Sequence, residues 1–355
     1  MPSLVKSVRI LNKFVIGIDT SNYKTSVAAV DIEGNLLFER SEFLDVKKGR
    51  RGLRQQEAFF VHSRRMPYFI KEMLEEVEVN KIAGVAVSIA PRAVEGSYMP
   101  VFTAGANAAG ILSSALEVPI YTFSHQEGHI ESVMRGRIDD PIDEECIIFH
   151  LSGGTTEALK CKSCVSEDGE IHYDTKIIGG TKDISIGQLI DRVGVSLGYE
   201  FPAGGNMDRY AVENAADLRV GAECSDIRSG KCLSPVKIKE GWFNLSGMET
   251  ELLRKNDSSL IPDLFERLAV LLWAEAKYLS CSYGIRDIYI CGGVAQSEYI
   301  RGRLAEIASG SDINIIFGDK HLSGDNAVGV ARLGSRSLSR CKYKLIGDTN
   351  GEERT

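Results

Sequence analysis

The opening pattern of this chain occurs twice, and that duplication limits the folds open to it more than any other feature. An apolar run, FVIGID from Phe14, continues as TSVAAVD, turns at Glu33-Gly34-Asn35 and returns as LLFERSEF. From Cys146, the run CIIFHL passes into LSGGTTEALKCK, turns at Glu167-Asp168-Gly169-Glu170 and returns as IHYDTKII. Short β-branched runs punctuated by Gly, Asn and Asp read as strands in hairpins. After the first hairpin, Phe59, Phe60, Met66, Phe69, Ile70, Met73 and Leu74 recur at helical spacing and predict a helix over residues 58–77. The strand IAGVAVSIA, a helix over 102–116 and the strand PIYTF follow. After the second hairpin, helices are expected over 184–197, 207–214 and 260–283, then strand DIYICGG, a helix over 297–308, strand NIIF and a last helix beginning at Asp325. Two similar α/β halves with a ligand cleft between them are the natural reading. The expected boundaries are 1–140 and 141–322 for the halves, 323–346 for a helix packing back on the first half, and 347–355 for a disordered polar tail.

Composition narrows the class. The 355 residues suffice for two cores at ~150 residues per domain. Hydrophobic residues at 43% and charged ones at 26% exclude disordered and fibrous chains. A net charge of −7 means that nucleic acid, if bound, meets a local basic patch rather than the molecule as a whole. Lys47-Lys48-Gly49-Arg50-Arg51-Gly52-Leu53-Arg54 is such a patch, although a run of this kind is usually a solvated surface. Eight cysteines are too dilute for a disulfide scaffold and read as reduced thiols, with Cys161 and Cys164 an incidental CxxC. Lys6 and Arg9 break any apolar leader, and the uncharged stretch 96–116 is too rich in small and polar residues to span a bilayer. The expectation is a cytoplasmic protein without membrane contact.

Three turns carry the chemistry of a phosphate-bearing ligand. Gly17-Ile18-Asp19-Thr20-Ser21, with Thr25 beyond, and Leu151-Ser152-Gly153-Gly154-Thr155-Thr156 occupy the same place in the two halves. Small residues there let backbone N–H groups approach phosphate oxygens. Singly each is a tight hairpin; as a matched pair they favour an adenine nucleotide. The third, Cys291-Gly292-Gly293-Val294, ends a strand before a helix, where ligands sit in α/β sheets. Together they resemble the two phosphate motifs and the adenosine motif of the actin, Hsp70 and sugar-kinase superfamily. The implied fold class is α/β, with duplicated actin-like (ASKHA, RNase H-like) domains. In His125-Gln126-Glu127-Gly128-His129, two histidines at i and i+4 share a helix face and can share one divalent metal. Gln126 stands where a zinc peptidase places its glutamate base, and Glu127 lies roughly 200° round the helix from His125, so proteolysis lacks its usual base. Asp325 in Ser323-Gly324-Asp325-Asn326-Ala327 is the candidate third ligand, with Asp319 and His321 as competitors and helix capping as its alternative role.

GIDTSNYKTSVAAVD, SHQEGH, HLSGGTTEAL, IGQLIDRVGVSLGYEFPAGGNMDRYA, NLSGMETELL, ICGGVAQS and SGDNAVGVA fall in an order that resembles the TsaD/Gcp family over about residues 14–333. Members make the threonylcarbamoyl-adenosine of tRNA and once carried the label O-sialoglycoprotein endopeptidase. The resemblance implies metal ligation by His125, His129 and Asp325, with iron and zinc both suited. It implies an adenylate and substrate site at His150, Leu151, Ser152, Gly153, Gly154, Asp191, Gly204, Asp208, Gly292, Gly293 and Ser297, the two aspartates suiting ribose hydroxyls. Its implied partners are tRNA and either a TsaB-like subunit or a second copy, joined through first-half helices. The small residues Ala104, Gly105, Ala108 and Ala109 could serve that contact or pack on the sheet. The chain also departs from the family. Asn22, Tyr23 and Lys24 replace Cys-Asp-Glu, Ile184 and Gln188 replace an aspartate and a glutamate, Ser297 replaces an asparagine, and Ala90-Pro91-Arg92 replaces a GPG loop. The expected function is a metal-dependent transferase moving threonylcarbamoyl from an adenylate to the adenine amine of tRNA. The alternatives are an adenine-nucleotide-binding ATPase or kinase-like paralogue and a carbamoyltransferase with another acceptor.

Overall fold

The computed structural model describes residues 13–21, 23–45, 53–134, 144–215, 232–324 and 327–349. The first half runs β1 (Phe14–Thr20), β2 (Lys24–Asp31), β3 (Leu36–Phe43), α1 (Gln55–Glu76), β4 (Ile82–Ala90), α2 (Phe102–Leu116), β5 (Ile120–Ser124) and α3 (His125–Met134). The second begins with β6 (Cys146–Leu151), β7 (Thr156–Val165), β8 (Ile171–Thr181), α4 (Ile186–Ser196) and α5 (Gly204–Glu213). It continues with β9 (Trp242–Phe243), α6 (Ser246–Lys255), α7 (Ile261–Tyr283), β10 (Asp287–Cys291), α8 (Glu298–Ala308) and β11 (Asn314–Phe317), and α9 (Val328–Thr349) closes the chain.

Strands β1 and β6 are buried along their whole lengths, as continuous apolar runs in the middle of a sheet must be. Each pairs antiparallel with the strand that follows it and parallel with one returning through a helix. The sheet orders are β3-β2-β1-β4-β5 and β11-β10-β6-β7-β8-β9, so five strands of each half match in order and direction. On the first sheet, Phe69 and Met73 of α1 pack on Ile16, Ile18, Val85 and Val87. In the second half, Leu264, Leu268, Leu271 and Leu272 of α7 join Ile147, Phe149, Ile288 and Ile290 in the larger core. A third cluster, with Phe123 and Ile130 from one half and Ile148, Leu159 and Tyr289 from the other, binds the two together.

The small residues of α2 serve the sheet. Ala104, Gly105 and Ala109 are buried, and the Gly105 amide donates to Thr20 Oγ1 at 3.1 Å. The N-terminus of α5 lies at Gly204, three residues before the expected position, because Asp191 Oδ1 accepts the Ala203 amide at 2.8 Å and orders the glycine pair that follows. Helix α9 runs on to Thr349, into the stretch expected as a tail. Residues 350–355, the boundary near 140 and residues 47–52 of the basic run lie outside the described residues.

The thiols need one correction. Cys232 is disulfide-bonded, while Cys146, Cys161, Cys164, Cys281 and Cys291 are free. Cys161 and Cys164 are three apart on β7 and so point to opposite faces of the sheet. Among the described residues no helix is long and apolar enough to cross a membrane.

Helix α9 returns to the first half, and it does so backbone to backbone. A Cβ on Gly329 would stand 1.9 Å from the carbonyl oxygen of Gly128, and one on Gly128 would stand 2.8 Å from Val330 Cγ2. Gly329→Ala is therefore expected to lower stability by about 1–3 kcal/mol through overpacking at the α3–α9 crossing. Urea unfolding of both proteins measures it, and an unchanged midpoint would contradict the contact.

Candidate functional site

A cleft of about 1110 Å³ opens between the halves. It takes its floor from the turns after β1 and β6 and its walls from α3, α4, α5 and the turn after β10. His125, His150, Ser152, Gly153, Gly154, Asp191, Gly204, Asp208, Gly293 and Ser297 all line it. Leu151 is buried behind it, and Gly292, at φ +93°, presses against the Leu151 carbonyl where a Cβ would stand 2.3 Å away. Asp325 lies outside the described residues.

The histidine pair begins α3 directly after β5. His125 Nε2 and His129 Nε2 face each other at 3.0 Å, and the His150 ring packs 4.9 Å from that of His129, centroid to centroid. His125 Nδ1 lies 2.9 Å from Oδ1 of Asp19, a fully buried carboxylate that also accepts from Ser88 Oγ. A proton on Nδ1 satisfies that bond and leaves the Nε2 lone pair as a donor, the arrangement that orients a metal-ligating imidazole. Asp19 Oδ2 is buried without a hydrogen-bond partner among the described residues. Among the described residues no group of three or more His, Cys, Asp or Glu side chains is placed to hold a metal ion. The two convergent nitrogens, with an anionic carboxylate behind them, nevertheless fit a divalent cation as part of its ligand set.

Glu127 turns away from this pair, as its angular position on the helix requires. Its carboxylate accepts from the Ser124 amide at 2.7 Å and from Ser124 Oγ at 2.8 Å, and it meets His172 Nδ1 at 2.9 Å. Burial pushes its pKa up, but the bonds from His172 and Ser124 outweigh burial and hold it below the ordinary value. Gln126 donates its backbone amide to Pro91 O at 3.1 Å. Neither residue supplies a base beside the histidines. Asp319 is engaged in its own turn, where Oδ1 accepts the His321 amide at 2.9 Å, and His321 lines the cleft.

The second phosphate turn is held by its own side chain and by α4. Ser152 Oγ accepts the Gly154 and Thr155 amides at 3.3 and 3.0 Å. Ser185, the N-cap of α4, donates to Gly153 O at 2.9 Å. A Cβ on Gly187 would stand 2.4 Å from Ser152 O, so only glycine lets the first turn of α4 reach the loop. The positive end of a helix dipole thereby borders the glycines, a favourable setting for an anion. Burial raises the Asp191 carboxyl, and the Ala203 and Gly204 amides oppose it. Both Asp208 oxygens are engaged at the start of α8, with Ser297 Oγ and with the Glu298 and Tyr299 amides at 2.8 and 3.2 Å. Oδ1 accepts two of these bonds, and Oδ2, which accepts one, keeps a further lone pair for a ligand hydroxyl.

The residues that depart from the family pattern line the same cleft. Tyr23 overhangs Gly153, with its Oη 3.2 Å from where a Cβ would be, and Lys24 Nζ sits 4.6 Å from the Phe43 ring centroid. Arg92, in the segment replacing GPG, reaches across to Glu157 Oε1 on β7 at 2.5 Å and joins the halves over the cleft. Burial nevertheless keeps the Glu157 carboxyl above its ordinary value, against the pull of Arg92.

Sequence reasoning missed two groups beside the first phosphate turn. Asp19 was assigned to that turn, and nothing local marks it as the partner of His125. His62, fully buried on α1, bonds Thr25 Oγ1 through Nδ1 at 2.8 Å and Ser21 O through Nε2 at 2.9 Å, bracing the first hairpin.

The sequence profile of the tRNA N6-adenosine threonylcarbamoyltransferase family, TsaD, matches residues 45–332. The enzyme of that name from Thermotoga neapolitana is 27% identical over 336 residues, covering 92% of this chain and 94% of its own length. That from Neorickettsia sennetsu is 24% identical over 332 residues, covering 90% and 92%. In fold, full-length HypF crystallised in a phosphate- and nucleotide-bound form matches with a TM-score of 0.52 at 13% identity. The match covers 93% of this chain and 55% of HypF, so this chain spans about half of that protein. The duplicated actin-like α/β architecture read from the sequence is the one observed.

Burial holds the His62 imidazole neutral, lowering its pKa to about 4. The unfolded chain takes that proton near pH 6.5, so the stability His62 contributes is complete above that value and is lost as pH falls toward 4. Histidine NMR should show one resonance still unprotonated at pH 5 and absent from His62→Gln. Titration of all ring signals near 6.5 would contradict the assignment.

Proposed function

Because the chain belongs to the tRNA N6-adenosine threonylcarbamoyltransferase family, we propose that it moves a threonylcarbamoyl group from an adenylate to the N6 amine of an adenosine in tRNA. The observation that carries this reading is one cleft lined both by His125, whose Nε2 faces that of the buried His129, and by the Ser152–Gly154 turn at the start of α4. A mixed anhydride of a carbamate and AMP has a carbonyl to polarise and a phosphate to hold, and the cleft has a place for each. The amine attacks the carbamoyl carbon, the C–N bond forms, the bond from that carbon to the phosphate oxygen breaks, and AMP leaves with release of one proton. The glycines of the Ser152–Gly154 turn leave room for the phosphate beside the positive N-terminal end of α4, which meets the charge that grows as AMP departs. Asp191 takes a ribose hydroxyl, and Tyr23 covers the turn against water. His125 and His129, with Asp325 as the third expected ligand, would hold a divalent iron or zinc ion. When bound, that ion supplies Lewis-acid polarisation of the anhydride oxygen. Asp19 positions His125 for it. A partner subunit or a second copy would meet the outer face of α2, where Ile111 is 71% exposed.

Tyr23 and Lys24 favour a second reading. They stand on the cleft wall where the family pattern has two acidic residues, and a wall of that chemistry suits a different amine acceptor for the same adenylate.

Nucleoside analysis of tRNA from cells whose only such gene is this one separates the readings. Threonylcarbamoyladenosine is expected with the wild-type gene and a loss of at least ~100-fold with His125→Ala, the scale of several kcal/mol of lost polarisation. The variant should purify folded but with less bound metal. Unmodified tRNA beside folded, metal-loaded wild-type protein would contradict the tRNA reading.

A further inference from the structure

A second cavity, of about 550 Å³, opens beside β9, outside the cleft. Lys182, Lys237 and Lys239 line it together with the half-buried indole of Trp242. Among the described residues Glu251 is the one carboxylate on its wall, and it is already bonded to Lys255 Nζ at 2.7 Å and the Ser234 amide at 3.1 Å. The cavity is thus a cationic spot on a chain of net charge −7.

Its geometry is fixed by backbone. Lys239 and Trp242 exchange both N–H···O bonds, at 2.8 and 3.0 Å, across a two-residue turn. Glu240 and Gly241 in that turn take φ +54° and +80°, the paired positive values of a tight hairpin turn. Holding a glutamate in that region costs about 1–2 kcal/mol. Trp242 pairs with Gly180 of β8, the Lys182 amide donates to Phe243 O at 2.9 Å, and Lys182 Nζ lies 5.6 Å from the indole centroid. Ring and ammonium groups are therefore presented by a sheet edge and a locked turn.

The cavity is also close to the cleft. Asp183, after Lys182, accepts the Leu245 and Ser246 amides at 2.8 and 2.9 Å, and Ser185 holds Gly153. Two residues separate Lys182 from Ser185, and the three peptide steps between them span at most about 11 Å.

We propose that this cavity binds an unpaired nucleotide of the RNA substrate, its base stacked on Trp242 and the flanking phosphates held by Lys182, Lys237 and Lys239. An aromatic platform beside several cations is how single-stranded RNA is bound, since every base has a π-face and every link a negative charge. The proposal rests on the tRNA reading of the cleft and adds a second anchoring point for the same strand.

Trp242 and Trp273 are the two tryptophans of the chain, so in Trp273→Phe protein the indole fluorescence reports Trp242 alone. Titration of an unmodified tRNA transcript should quench it. Trp242→Ala should weaken tRNA binding roughly 5- to 150-fold, the range for one lost stacked base. The double variant Lys237→Glu, Lys239→Glu lies on exposed side chains and does not depend on the indole. It should weaken binding and lower the salt dependence of log K by roughly 1–2. AMP binding in the cleft should stay unchanged in both. If the variants bind tRNA as wild type does and Trp242 emission does not move, the cavity proposal is overturned and the reading of the cleft stands. Equal quenching by AMP alone would make this a free-nucleotide site and overturn the RNA assignment. Failure of wild-type protein to bind tRNA would overturn the substrate reading itself, and this proposal with it.

Discussion

Gly128 and Gly329 meet with no side chain between them, and the shape of the cleft follows from that contact. Helix α3 carries His125 and His129 on either side of Gly128, while α9 crosses from the second half to lie on β1, β2 and β4. A side chain at either glycine would push α3 off α9 and move the histidines with it. The same crossing brings the segment before α9 to the cleft, where Gly324 lines the wall. Interiors are packed too densely to absorb even a methyl group at such a point without strain.

Around that crossing the halves are tied by polar groups that could not be left alone in a core. Glu127 on α3 binds His172 and the Tyr173 amide on β8, at 2.9 and 3.3 Å. Glu131, one turn on, accepts from Tyr173 Oη at 2.7 Å and from Arg336 of α9 at 2.5 Å. Each carboxylate is buried, and each has the donors that make burial tolerable. Two elements, β8 and α9, thus converge on one helix. The acidic residues of HQEGH and its continuation hold α3 in place and leave His125 facing the cleft, with His129 buried behind it.

The duplicated framework was legible because it is written in local patterns. Apolar runs of strand length, turns with Gly and Asp, and a helical stripe from Phe59 to Leu74 depend on neighbours in sequence. The orientation of Glu127 was legible for the same reason, since about 100° per residue fixes it once α3 is a helix. The Asp19–His125 bond was not, for it joins residues 106 apart and only the tertiary fold brings them together. Nor was the role of His62, which the first hairpin brings into bonds with Thr25 and Ser21. The start of α5 was missed because Gly204 and Gly205 are poor helix formers, and Asp191 overrides that preference from the preceding helix. Trp242 and the lysines beside it gave no motif, being gathered from two distant segments by a parallel strand pairing.

The central claim is that one cleft serves the histidine pair and the phosphate turn together. Calorimetric titration of AMP into metal-loaded protein tests it most directly, with Gly153→Val as the comparison. The account predicts saturable heat at one site per chain in the wild type and binding weakened at least ~10-fold in the variant, whose side chain would crowd the phosphate position under Tyr23. Absence of heat in metal-loaded wild-type protein, or equal affinity in Gly153→Val, would contradict it.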